Sequence, residues 1–471
     1  MSQNKVESMP TLNNRRSTRH LWLRSTLRYS QKEALASSAM TATSDNFFNA
    51  FAIFIQASMS QLGLLTGFPQ LFGAMMQFLS LGIGSYFCRK NIIVVGATLQ
   101  AIGLVAMSIL SIWQPENAVW YFIALAMLHH GLLNLVQPHW RAWMGNIVPP
   151  KRRGKFFASR SRITMLASLG IFIIGGGLLT LTSSIDLAWL GFSLLFLIAA
   201  VGRFSSAWLL YKMHDPQVQT QQKVLNSTWL KLRDAWQDPV FKQYSLLVAT
   251  MQSMVAISAP FFAVYMLNDL QFSYIEFVLT GVASIATQFI TLKFWGKFSD
   301  KFGNRLVMII TCSMIPFVPM LWLFSGDFTY ILIIQAVSGL WWSGFTLSTV
   351  NYLYDIRPHQ ADFATYAAMQ AGLSAALVFI GSIVGGVIAS FAQPFAQISG
   401  LDNVLSHSIF IVFLASSIGR LCVVAYFIPR LQEPTIRQRP KMLDIVLRVS
   451  RFNAISGVNF DWLTVIKKSK K

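Results

Sequence analysis

Twelve apolar stretches, each about twenty residues long, constrain this chain more than any other feature. They cover residues 34–57, 62–87, 91–112, 119–145, 163–182, 187–211, 243–267, 274–296, 305–325, 328–353, 363–392 and 406–429. About 20 apolar residues in a helix cross the ~30 Å hydrocarbon core of a bilayer. Composition points the same way. Charged residues are 12% of the chain, about half the ~25% of soluble globular domains. A water-facing surface cannot be covered with so few charges. The 54% hydrophobic content excludes disorder. The chain therefore reads as an all-α membrane protein with twelve transmembrane helices. Residues 1–33 are polar, and the first apolar run lacks the short core and small-residue cleavage site of a signal peptide, so none is expected.

Lys and Arg set the orientation. Seven precede span 1: Lys5, Arg15, Arg16, Arg19, Arg24, Arg28 and Lys32. Arg89 and Lys90 follow span 2, and Lys151, Arg152, Arg153, Lys155, Arg160 and Arg162 follow span 4. Residues 212–242 carry Lys212, Lys223, Lys231, Arg233 and Lys242; loop 8–9 carries Lys297, Lys301 and Arg305; loop 10–11 carries Arg357. Ten more follow residue 429. The six opposite loops have no Lys or Arg, and hold Glu116, Asp186, Asp269, Asp327 and Asp402. Both termini are thus expected in the cytoplasm. The net charge of +20 is a juxtamembrane collar suited to anionic headgroups. Nucleic acid is not needed as a partner. The sequon at Asn226 falls on the cytoplasmic side and reads as a chance match.

The chain divides into a basic segment 1–33, a six-helix half 34–211, a central loop 212–242, a second six-helix half 243–430 and a basic tail 431–471. Within the central loop, Trp229, Leu232 and Trp236 share one side of a possible interfacial helix before Pro239. The halves repeat short patterns: Gly202-Arg203 in span 6 matches Gly419-Arg420 in span 12, and Gly131 in span 4 matches Gly344 in span 10. Two pseudo-symmetric halves with a site between them are the plan of a rocking carrier.

Loop 8–9 reads Gly296-Lys297-Phe298-Ser299-Asp300-Lys301-Phe302-Gly303-Asn304-Arg305. This resembles the Gly-x-x-x-Asp-Arg/Lys-x-Gly-x-Arg/Lys signature of the major facilitator superfamily. Loop 2–3 holds a degenerate copy, with Gly84, Arg89 and Lys90 in place but Cys88 at the Asp position. Loop 4–5 has Pro149 followed by Arg153-Gly154, similar to the family's Pro-x-x-x-Arg-Gly. The resemblance covers about residues 34–430. It implies a secondary transporter working by alternating access, and a bacterial branch of unassigned substrate, hence an inner-membrane location. Gly296, Asp300, Lys301, Gly303, Arg305, Arg89, Arg153 and Gly154 are then gating-loop residues, with Asp300 a latch that pairs with a helix N-terminus or an arginine.

Ionisable residues inside spans are costly and mark sites by default. Asp45 stands near the middle of span 1, with Asn49, Ala52 and Gln56 on the same helical face. Span 4 carries His130, Asn134, Gln137 and Arg141 as one stripe. The resemblance places spans 1, 4, 7 and 10 around a cavity, so Asp45 and His130 are the proton-coupling candidates. His129, about 100° around the helix, reads as structural. Asn49, Gln56, Asn134 and Gln137 are substrate-cavity candidates, joined by Gln252, Trp342, Thr346 and Asn351 from the second half. Asp355 is expected to pair with Arg357. Arg203 and Arg420 are expected to snorkel to the interface. Glycines in spans 5 and 11 suit close helix crossings.

No phosphate-cradling Gly-x-x-x-x-Gly-Lys-Ser/Thr, metal-spaced Cys/His cluster or hydrolase turn is present in the sequence, so neither an enzyme nor a cofactor or metal is expected. The reading is a monomeric carrier of a small organic solute, a proton-coupled symporter or antiporter. One alternative is drug or metabolite efflux, weakened because span 5 has no Gly-Pro. Another is a membrane sensor signalling through its tail, where Lys441 to Phe452 is amphipathic and otherwise reads as an interfacial helix.

Overall fold

The computed structural model describes residues 12–149, 153–215, 233, 236–356, 363–399 and 406–432. The regular elements among them are all helical. Eleven helical runs there are long and apolar enough to cross a membrane. The remaining expected span, the first, is interrupted. A helix over Leu12–Thr43 gives way to a 3-10 turn at Asp45–Phe47 and restarts as Phe48–Phe54. The break falls on Ser44-Asp45-Asn46, residues whose side chains compete for backbone groups. The Ser44 hydroxyl donates to the Met40 carbonyl at 2.6 Å. This reset overturns the expected stripe of Asp45, Asn49, Ala52 and Gln56. Ala52 lies in the apolar core, and Gln56 sits exposed in the turn beyond the helix with φ 58°.

The other spans follow the sequence closely. Spans 2 to 6 are helices over Met59–Tyr86, Arg89–Trp113, Ala118–Ile147, Arg153–Ser183 and Ala188–Lys212. Span 7 covers Pro239–Ser258, with Asp238 accepting from the Val240 and Phe241 amides as its cap, and closes in a π turn at Tyr265–Asp269. Spans 8, 10, 11 and 12 are helices over Tyr274–Phe302, Phe328–Ile356, Phe363–Ser399 and Phe410–Phe427. Pro316 divides span 9 into Asn304–Met314 and Phe317–Leu321.

The packing carries the duplication. Spans 1 and 5, 1 and 6, 2 and 4, and 3 and 4 pack together in the first half, and spans 7 and 11, 7 and 12, 8 and 10, and 9 and 10 do so in the second. Each pair is the other's equivalent six spans on. The halves meet through spans 2 and 11 and through spans 5 and 8.

The seam is closed by direct contacts at the end bearing the acidic loops. There the Ser60 and Ser390 hydroxyls are 2.8 Å apart, and the Ile275 amide donates to Thr180 Oγ1 at 2.9 Å. A Cβ on Gly63 would lie 2.4 Å from the Ser382 carbonyl oxygen, so only glycine allows this approach. Gly63→Val is therefore expected to part the seam. In a chain with exposed Cys88 and Cys422 changed to Ser, Ser60→Cys should react with a water-soluble maleimide several-fold faster when Gly63→Val is added. An unchanged rate would mean the seam does not depend on this contact.

Candidate functional site

Between the halves, on the basic-loop side of that seam, lies a cavity of about 400 Å³. It is lined by Gln70, Ala74 and Gln77 of span 2, His130 and Asn134 of span 4, Gln252 of span 7, and Gln370, Ala371, Ser374 and Ala375 of span 11. The spacings 70–74–77, 130–134 and 370–371–374–375 each put their residues on one helical face. The alanines leave room between the amides. Asn134 Nδ2 donates to the His130 carbonyl at 2.9 Å, and Gln370 Nε2 donates to Ser374 Oγ at 2.8 Å.

Beside the cavity, span 1 meets span 4 through a part-buried hydrogen bond between a histidine and a carboxylate. His129 Nε2 is 3.0 Å from Asp45 Oδ1. Ser44 also donates to Asp45 Oδ1, at 3.3 Å. The His129 ring is 2% exposed, and its Nδ1 is buried without a partner among the described residues. With Nε2–H donating to the carboxylate, Nδ1 is the ring's free lone pair. The His129 and His130 rings stand edge-to-face at 5.5 Å, so the second imidazole joins the pair to the cavity wall.

The pair lies at one end of a buried polar chain. Gln100 Nε2 of span 3 donates to the His129 carbonyl at 2.9 Å, and its Oε1 accepts from Arg203 Nε of span 6 at 2.8 Å. Arg203 Nη1 donates to Ser206 Oγ at 3.2 Å, and Ser206 donates to Glu33 Oε1 at 2.8 Å. Arg160 Nη2 of span 5 closes the chain on Glu33 Oε2 at 2.5 Å. Five spans thus share one network around two carboxylates.

Several sequence expectations change here. Arg203 and Arg420 do not snorkel: they are 5% and 3% exposed and point into their own halves. Arg420 Nη2 donates to Ser258 Oγ at 2.9 Å, and Nη1 donates to the Ile315 carbonyl at 3.4 Å. Arg420 thus bonds spans 7 and 9, while Arg203 bonds span 3 directly and reaches span 1 through Ser206. Arg160, expected in the basic collar, is drawn in against Glu33 and lies over the Trp140 ring at 4.6 Å. The hydrogen bond to Asp45 comes from His129, not His130, because the break in span 1 turns the carboxylate toward the adjacent histidine.

Of the expected cavity residues, His130, Asn134 and Gln252 line the cavity. Asn49 is half-buried outside that lining. Gln137 is exposed and accepts from Arg141 at 3.0 Å. Trp342 packs edge-on to Phe345 at 5.5 Å, Thr346 is exposed, and Asn351 is half-buried. Sequence reasoning passed over Gln70, Gln77, Gln370 and Glu33. The seven-residue spacing of Gln70 and Gln77 in an apolar span was the available signal.

The gating loop turns at Gly303, with φ 92°, a conformation that side chains oppose. Arg305 Nε donates to the Leu431 carbonyl at 2.7 Å, and Asn304 Nδ2 donates to Asp355 Oδ2 at 2.7 Å. Asp355 is thus engaged by span 9, while its expected partner Arg357 lies outside the described residues. Asp300 and Lys301 sit in the last turn of span 8, and Gly296 faces open space. Arg89 begins span 3 and Arg153-Gly154 begins span 5. The interfacial segment around Trp229 and the tail from 433 lie outside the described residues.

A sequence model of the Major Facilitator Superfamily matches residues 34–290 and 244–468. No curated protein is similar enough in sequence to count as a match. Among solved structures, a mutant of the nucleoside transporter NupG superposes with a TM-score of 0.65 at 14% identity, covering 87% of this chain and 100% of that one. A D-xylose-proton symporter gives 0.64 at 14% identity, covering 87% and 99%. A bacterial homologue of the human lysosomal transporter Spinster, in an inward-facing and occupied conformation, gives 0.60 at 15% identity, covering 90% and 99%.

Proposed function

This chain belongs to the major facilitator superfamily, and on that premise we propose that it is a proton-coupled secondary transporter of a small organic solute. The observation that carries the reading is the Asp45–His129 contact, part-buried at mid-span beside a cavity that both halves line. A carboxylate and an imidazole at 3.0 Å can share one added proton, and His129 Nδ1 holds the lone pair that receives it. Proton uptake there neutralises Asp45 or charges the ring. Either event changes what holds span 1 against span 4, so protonation and the arrangement of the first half are linked.

The excess of Lys and Arg on one set of loops supports a cytoplasmic location for those loops and both termini, in the inner membrane of a bacterium. On that orientation the tight seam is external, and the cavity belongs to an inward-facing state. Alternating access then opens the Gly63–Ser382 seam and closes the cytoplasmic side. Loop 8–9 serves as the cytoplasmic latch. Asp300→Ala is expected to favour the inward-facing state, read as at least a two-fold rise in alkylation of a cysteine placed at Gln77. Unchanged alkylation would remove the latch.

The direct test uses full-length protein in proteoliposomes. An imposed pH gradient should drive accumulation of a solute that the protein binds, and collapse of the gradient should release it. Binding of the solute with uptake indifferent to pH would leave a carrier without proton coupling.

A further inference from the structure

The cavity's chemistry narrows the solute, given that the chain is a carrier. Five of the ten lining residues are amides: Gln70, Gln77, Asn134, Gln252 and Gln370. None is Asp, Glu, Lys or Arg. A solute ion leaving water needs an opposite charge or a dense shell of hydrogen bonds from one kind of donor or acceptor. Amides supply neither, because each carries a donor and an acceptor side by side.

That pairing matches the hydroxyl group, which also donates and accepts. The side-chain amides of Gln70, Gln77 and Gln252 make no hydrogen bond to the described residues, so their donors and acceptors are uncommitted at the cavity wall. Asn134 and Gln370 each use one N–H within the protein, which leaves their oxygens and a second N–H for the solute.

Flat hydrophobic walls are also missing. Apart from the His130 imidazole, no ring lines the cavity. Trp341 and Trp342 pack into the core of the second half. Nucleobases and amphiphilic drugs, which rely on stacking and apolar area, find little there.

We propose that the cavity binds an uncharged, polyhydroxylated small molecule (a sugar, cyclitol or sugar alcohol) through amides contributed by both halves. Spans 2 and 4 supply Gln70, Gln77 and Asn134, and spans 7 and 11 supply Gln252 and Gln370. A solute held from both sides ties the halves together.

The test is counterflow with full-length protein in proteoliposomes, without a pH gradient. The probes are radiolabelled glucose, xylose, myo-inositol and mannitol, set against adenosine, alanine, succinate and tetraphenylphosphonium. Counterflow of at least one of the first four, with the others at background, is expected. For that solute, Gln252→Leu and Gln77→Leu should each lower the rate at least ten-fold, while Gln252→Asn keeps more than Gln252→Leu does. Thermal unfolding of each variant distinguishes lost binding from lost fold. Counterflow of adenosine, alanine, succinate or the phosphonium with the polyols inert would overturn the solute class and leave the carrier reading intact. Polyol counterflow untouched by both leucine variants would overturn the assignment to this cavity. Background rates for all eight probes would remove both readings together.

Discussion

Asp45→Asn is expected to abolish pH-driven accumulation while leaving solute binding and counterflow in place. Asparagine keeps the shape, and its amide oxygen still accepts from His129 Nε2 and Ser44, whose contacts are 3.0 and 3.3 Å in the native chain. The variant should therefore fold and bind. What it loses is a group that gains and releases a proton. One pH unit is worth about 1.4 kcal/mol per proton, enough for about ten-fold accumulation at one proton per solute. The native protein should approach that ratio, and Asp45→Asn should equilibrate at about one. Retained accumulation in the variant would place coupling elsewhere. His129→Asn offers a second reading, because it keeps a donor to Asp45 and removes the Nδ1 lone pair. It should lose accumulation as well.

Glu33→Gln is expected to be the most destabilising single change in the first half. Glu33 is 3% exposed and takes hydrogen bonds from Ser206 at 2.8 Å and Arg160 at 2.5 Å. Neutralising it leaves Arg160 without its carboxylate partner and the 5% exposed Arg203 without the nearby charge that it reaches through Ser206. Removing one partner of a buried pair costs about 3–5 kcal/mol, because the remaining charge stays desolvated and uncompensated. The double change Glu33→Gln with Arg203→Met should recover part of that loss, since the orphaned cation goes with the anion. Unfolding followed in detergent, under identical conditions for all variants, checks both expectations. A Glu33→Gln protein as stable as the native one would show that the network carries little net energy.

The two predictions rest on residues that the sequence reveals unequally. The twelve spans and their division into halves are visible in the linear pattern, because span length and loop charge depend on nothing beyond the local chain. Asp45 stands out for the same reason: a carboxylate in an apolar run has no local explanation. Its partner does not. Helical periodicity through an unbroken span 1 points Asp45 toward the face shared by Asn49 and His130, whereas the Ser44-Asp45-Asn46 break redirects it to His129. A local backbone event of three residues decides which of two adjacent histidines is engaged.

Glu33 and Arg160 were hidden differently. Each lies where a charge is ordinarily solvated, at the basic ends of spans 1 and 5. Only the packing of those spans with span 6 buries them together. Arg203 and Arg420 were visible as charges but not as buried ones, since snorkelling and internal bonding use the same position in a helix. Of the cavity amides in spans 2 and 11, Gln70 and Gln77 offered only their seven-residue spacing, and Gln370 stands without such a partner among the cavity amides of its own span. They acquire meaning from four helices converging around one volume.

The most direct test of proton-coupled transport is solute-evoked proton movement in proteoliposomes loaded with a pH-sensitive dye. The predicted result is an internal pH change on adding a solute that the protein binds, present in the native protein and absent in Asp45→Asn. Solute entry with no pH change in the native protein would contradict the account.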